Sequence, residues 1–132
     1  LVTVKRELDF IRSYMFLQQQ RFGPAVHLSI KADENANDLL LPPLAVQVLV
    51  ENALKHNIVT DEQPLTIRIV SRDNTLLVLN TLQRKPGSSS GKQIGFENLK
   101  HRYHLIAGKL PEVMITEQDY QVKLPLIKPD ES

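Results

Sequence analysis

Two short connections constrain this chain most. The apolar, β-branched run Leu65 to Val70 is separated from Leu76 to Leu79 only by Ser71-Arg72-Asp73-Asn74-Thr75, and Val113 to Thr116 is separated from Tyr120 to Leu126 only by Glu117-Gln118-Asp119. A parallel crossover takes about a dozen residues or more, so each pair must form an antiparallel hairpin. Helical periods surround these hairpins. From about Val4 to Gln20 the residues Val4, Leu8, Ile11 and Met15, with Phe10, Tyr14 and Leu17 beside them, recur at helical spacing until Gly23-Pro24 ends the pattern. Val26, Leu28 and Ile30 then alternate with His27, Ser29 and Lys31, which predicts a half-buried strand. A second helix is expected from Pro42-Pro43 to about Asn57, because proline at the first helical position lacks only an N–H that would have had no partner. A third runs from Phe96 to about Ala107 and stops at Gly108. Helices interleaved with hairpins predict an α/β fold, a two-layer sandwich whose mixed sheet carries helices on one face.

The 132 residues suit one domain, and 42% hydrophobic with 23% charged residues provides a real core and excludes a disordered chain. A formal charge of +1 leaves no broad field for nucleic acid, so none is expected as a partner and any anion must be bound locally. No run approaches the roughly eighteen apolar residues of a membrane span. The lack of cysteine excludes disulfides and thiolate metal sites and is compatible with a reducing cytosol. Residues 1–22 read as a helical segment already under way at Leu1, so a piece of a longer protein is expected.

The chemistry concentrates on the second helix. At about 100° per residue, Val46, Leu49, Val50, Ala53 and Leu54 fall on one arc, with Gln47, Glu51, Asn52, Lys55 and His56 opposite. That polar side also carries Leu44 and Val48, which suits a cleft better than open water. An Asn oxygen is a neutral hard ligand for Mg2+, a Glu can orient or deprotonate an attacking group, and cations stabilise phosphoryl oxygens. By itself, however, the pattern is better explained by an exposed helix in which Glu51 and Lys55 form a surface pair worth about 0.3 to 0.5 kcal/mol.

The stretch Leu41-Pro42-Pro43-Leu44 through Gln47-Val48-Leu49-Val50-Glu51-Asn52-Ala53-Leu54-Lys55-His56 resembles the N box of the LytS-like sensor histidine kinases. Upstream, Glu7-Leu8-Asp9-Phe10-Ile11 with Tyr14 and Gln20-Arg21-Phe22-Gly23 looks like the segment preceding that box. Downstream, Ile94-Gly95-Phe96-Glu97-Asn98-Leu99-Lys100-His101-Arg102-Tyr103 looks like its glycine box and following helix. The resemblance covers nearly the whole chain. It implies the Bergerat fold of the GHKL ATPases, with residues 1–132 forming the ATP-binding catalytic domain, and a phosphoryl transfer from ATP to a histidine on a dimerisation domain outside this chain. Glu51 and Lys55 would be catalytic, and Asn52 would hold Mg2+ between the phosphates. His56, Asn80, Ile94, Gly95, Phe96 and Asn98 would contact ATP together with Asn52, and the loop from Arg84 to Gln93 would be the lid. A response regulator would be the next acceptor. The longer protein would be a homodimer anchored in the bacterial inner membrane, with this domain in the cytoplasm.

The resemblance departs from the family pattern at two places. Asn80 stands where many related kinases have an adenine-binding aspartate, although an Asn oxygen still accepts from an amino group. Gln93 stands where the first glycine of the glycine box is usual. A second expectation follows from Gln93, a degenerate Bergerat module acting through protein contacts with little nucleotide binding. Gly87-Ser88-Ser89-Ser90-Gly91 spells a nucleophile elbow but lacks the flanking strand and helix, and Gly87 to Lys92 is one residue short of a P-loop. His101 and His104 have no third ligand at a metal spacing, and Lys100, His101 and Arg102 read as a solvated cationic stripe.

Overall fold

Both hairpins form as their short connections require. In the computed structural model, which describes residues 1–86 and 93–131, the elements run β1 (Val2–Thr3), α1 (Val4–Phe22), β2 (Val26–Lys31), β3 (Leu40–Leu41), α2 (Ala45–His56), β4 (Leu65–Arg72), β5 (Thr75–Thr81), α3 (Gln93–Ala107), β6 (Glu112–Ile115) and β7 (Asp119–Pro125). The main sheet has the order β2-β4-β5-β7-β6. Its β2–β4 pair is parallel and the other pairs are antiparallel, so the sheet is mixed.

Alternation along the strands gives the sheet one buried face. Val26, Leu65, Ile67, Ile69, Leu76, Val78, Val122 and Leu124 point into the core, while Arg68, Arg72 and Lys123 lie on the opposite, exposed side. The helices cover the inward face. Val4, Leu8, Ile11 and Met15 of α1, the predicted arc Val46, Leu49, Val50, Ala53 and Leu54 of α2, and Leu99 and Tyr103 of α3 all belong to the same buried cluster.

Several boundaries differ from the sequence reading. Leu1 to Thr3 is not helical. Val2 and Thr3 pair antiparallel with Leu41 and Leu40, and Thr3 caps α1 by accepting from the Arg6 N–H at 3.1 Å. Phe10 and Leu17, placed beside the apolar row of α1, are 47% and 64% exposed, because Val4, Leu8, Ile11 and Met15 alone turn toward the sheet. α3 begins at Gln93, three residues before the expected Phe96, and β1 and β3 were too short to carry a periodic signal.

α2 starts at Ala45, not at Pro42-Pro43, and its entry is built by a distant residue. Leu44 adopts a left-handed conformation with φ of 67° just before the helix, where its own side chain makes no cap. The buried Glu7 of α1 takes the capping role instead. One carboxylate oxygen accepts from the Leu44 N–H at 3.3 Å, and the other accepts from the N–H groups of Val46 at 3.0 Å and Gln47 at 3.3 Å. A carboxylate is well placed there, because the first amides of a helix have no partners within it and the helix dipole is positive at that end.

α3 grips the same corner. The Arg102 guanidinium donates to the Pro43 carbonyl, so this residue is a half-buried tie rather than part of a solvated stripe. Next to it the Tyr103 hydroxyl donates to the Pro125 carbonyl at 2.9 Å. Burial, and secondarily the charge of Glu7, raises the pKa of that hydroxyl far above its ordinary value, so it remains a donor.

Replacing Glu7 by Ala leaves three amides without their acceptor and should lower unfolding free energy by about 2 to 3 kcal/mol. Urea denaturation followed by circular dichroism measures this. Glu7→Gln, which keeps one accepting oxygen, should cost less.

Candidate functional site

The second half of α2 and the inward faces of β5 and β7 enclose a cleft with about 380 Å3 of empty volume, its mouth included. From α2 come Leu49 and Ala53 as an apolar wall, with Asn52 and His56 one turn apart. Asn80 continues the inward row Leu76, Val78 of β5, and strand register sets it directly beside Tyr120 of β7. Leu82 and Arg84 complete the opposite side.

Asn57 determines how these walls meet. It is only 4% exposed and lies at the C-terminus of α2, with its Nδ2 donating to the Ala53 carbonyl at 3.0 Å and its Oδ1 accepting from the Gln83 N–H at 2.8 Å. The stitching continues on both sides. The Ile58 N–H donates to the Gln83 carbonyl at 2.8 Å, the Lys85 N–H to the His56 carbonyl at 3.0 Å, and the Leu82 N–H to the Gln118 carbonyl at 2.8 Å. Gln83 Nε2 adds bonds to the carbonyls of Ile58 at 2.7 Å and Gln63 at 2.8 Å. Residues 82–85 are therefore fastened to α2 and to the β6–β7 turn, which corrects the reading that the free loop begins at Arg84. The remainder of that loop, including Gly87 to Lys92, lies outside the described residues.

Of the polar face predicted for α2, only Asn52 and His56 line the cleft. Gln47, Glu51 and Lys55 do not line it, contrary to the sequence reading that set all five residues on the cleft, because they form the neighbouring i, i+4 row of the helix. Glu51 and Lys55 are exposed, and Glu51 Oε1 accepts from Gln47 Nε2 at 2.7 Å. Phe96 is 7% exposed and belongs to the core, while Asn98 is exposed, and neither lines the cleft. Ile94 and Gly95 fall in the first turn of α3.

Asn80 is buried, and its Nδ2 is committed to the Thr81 carbonyl at 2.8 Å, so Oδ1 is the atom it offers as an acceptor. Burial raises the Tyr120 hydroxyl pKa, and the positive charge of Arg84 opposes that shift. Among the described residues no carboxylate lines the cleft, whereas Arg84 and His56 do. The cleft is thus equipped for an anion whose other end presents a hydrogen-bond donor. Among the described residues no group of three or more His, Asp or Glu could hold a metal by itself. Asn52 fits the alternative in which a cation arrives with its ligand, since Mg2+ takes few protein oxygens and keeps the rest of its shell for phosphate and water. Sequence reasoning missed Asn57, Leu82, Arg84 and Tyr120. Their roles depend on strand register and on the crossing of two chain segments.

The fold is that of a histidine-kinase catalytic domain. The structure matches the cytoplasmic segment of histidine kinase QseC with a TM-score of 0.66 at 12% identity, covering 96% of this chain and 76% of that one. It matches the catalytic domain of histidine kinase ThkA with a TM-score of 0.65 at 12% identity, covering 96% of each. By sequence it is 30% identical over 117 residues to the sensor histidine kinase YesM of Bacillus subtilis, covering 83% of this chain and 20% of that protein. It is also 30% identical over 125 residues to the sensor histidine kinase/phosphatase LytS of Staphylococcus aureus strain Mu50, covering 82% and 21%. The chain is a homologue of the LytS- and YesM-type sensor histidine kinases. It spans about a fifth of the length of these relatives. No family model matches it.

Asn57→Ala removes the side-chain bond that holds Gln83 to the end of α2 and the one that ties this side chain back to Ala53. Stability should fall by about 1 to 3 kcal/mol, and hydrogen exchange of the Gln83 amide should accelerate relative to the core strands.

Proposed function

We propose that residues 1–132 are the ATP-binding catalytic domain of a two-component sensor histidine kinase. The observation that carries this reading is the shared cleft of Asn52, His56 and Asn80, free of carboxylates and apolar along Leu49 and Ala53. Asn80 Oδ1 accepts from the adenine amino group. Asn52 and His56 face the phosphates, and α3 turns its amide end to them, with Ile94, Gly95 and Phe96 in its first turn and Asn98 in the next. Asn52 would be the protein ligand of a Mg2+ that arrives with the nucleotide, which would supply charge neutralisation at the phosphate oxygens.

Glu51 fits an acceptor that comes from outside. It is exposed and adjacent in sequence to Asn52, so a histidine approaching the open side of α2 meets its carboxylate before it reaches the cleft. In the reaction, the bond from the γ-phosphorus to the β–γ bridging oxygen breaks as a ring nitrogen of that histidine bonds to phosphorus. Glu51 orients the ring and takes its proton, and Lys55 stabilises the transferring phosphoryl oxygens. The acceptor histidine belongs to a dimerisation domain of the longer protein, and a response regulator takes the phosphoryl group next. That protein is a homodimer anchored in the bacterial inner membrane with this domain on the cytoplasmic side; no helix among the described residues is long and apolar enough to cross a membrane.

Titration calorimetry with a non-hydrolysable ATP analogue should show Mg2+-dependent binding. Absence of heat at millimolar ligand refutes the reading and favours the degenerate module. Asn52→Ala should weaken binding about tenfold, or roughly 1.4 kcal/mol, and remove most of the Mg2+ dependence. With the acceptor-bearing domain supplied, Glu51→Gln should slow phosphoryl transfer while leaving analogue affinity unchanged.

A further inference from the structure

We infer that Arg84 is a specificity-determining residue of the cleft, which reads the edge of an adenine base together with Asn80. The inference rests on the nucleotide-binding reading of the same site. Arg84 stands in a segment that the sequence assigns to a mobile lid, yet its backbone is fixed. It pairs with Asn57 in an antiparallel bridge, and the amides of Gln83 and Lys85 on either side of it are bonded to Asn57 and to His56. A long cation held on stitched backbone and lining the cleft is pre-organised for a ligand.

The base end of the cleft is where its charge acts. The guanidinium influences the Tyr120 hydroxyl, and Tyr120 is the register partner of Asn80. Asn80 accepts from the amino group through Oδ1. Its Nδ2 gives one of its two hydrogens to the Thr81 carbonyl and so is drawn toward its own strand, away from the ring nitrogen beside that amino group. That nitrogen needs a donor. Asn57 is held at both ends by Ala53 and Gln83, and Asn52 and His56 belong to the phosphate end. Arg84 carries five N–H donors and no acceptor. The pair therefore matches an amino group next to an unprotonated ring nitrogen. A hypoxanthine base presents the reverse, a carbonyl beside a protonated nitrogen. It meets Asn80 Oδ1 with another oxygen and Arg84 with another donor.

Displacement of a fluorescent ADP analogue by ADP and by IDP tests this on the wild-type chain and on Arg84→Met, whose backbone bridge to Asn57 needs no side chain. The wild type should prefer ADP, and Arg84→Met should lose about tenfold in ADP affinity with little change for IDP, so that selectivity falls. Arg84→Lys, which keeps a donor, should recover part of the loss, and unchanged thermal melting separates either effect from misfolding. Equal losses for ADP and IDP would place Arg84 on the phosphates and overturn the inference, as would no loss for either. If the wild type binds neither nucleotide, the proposed function fails and this inference with it. If the wild type binds and Arg84→Met binds equally, only the inference fails.

Discussion

The carboxylate of Glu7 is the contact on which the arrangement of helices depends. Three amides at the entry to α2 have no partner inside the helix, and one side chain from α1, nearly forty residues earlier in the chain, accepts from all of them. The contact also brings α1 and α2 together over the sheet, while Arg102 ties α3 to the Pro43 carbonyl at the same corner. Burying a carboxylate is costly unless its oxygens are well bonded, and here the positive end of a helix supplies the compensation.

The other end of α2 is fastened by a different device. Asn57 closes the helix and pairs with the segment leaving β5, so α2 is held at its start by a charge and at its finish by a neutral amide that both donates and accepts. Between these two fixed ends, helical geometry assigns the tasks. The row of Asn52 and His56 turns into the cleft, and the adjacent row runs from the half-buried Gln47 to Glu51 and Lys55, which turn to solvent. On the proposed function this division has a use, with the nucleotide held inward and the group that would meet an incoming histidine left outside.

The cleft is also economical in charge. Among the described residues the lining is neutral apart from the cation Arg84 and the imidazole of His56, with Asn80 in place of a carboxylate. The exposed positive residues Arg68, Arg72 and Lys123 lie on the opposite face of the sheet. On the proposed function, the field that favours a nucleotide is therefore local, consistent with a chain of formal charge +1.

Local chemistry was sufficient for much of this. The short connections dictated both hairpins, the apolar arc of α2 was legible residue by residue, and the resemblance to the LytS-like sensor histidine kinases singled out the N-box residues and Asn80. Tertiary structure decided what depends on residues far apart in sequence. The left-handed Leu44 and the start of α2 follow from Glu7. The place of Tyr120 beside Asn80 follows from the β5–β7 register, and the fixed position of Arg84 follows from Asn57. Periodicity reports which face of an element is apolar, because burial acts on each residue separately. A polar contact depends on two partners, and only the folded chain shows which two meet.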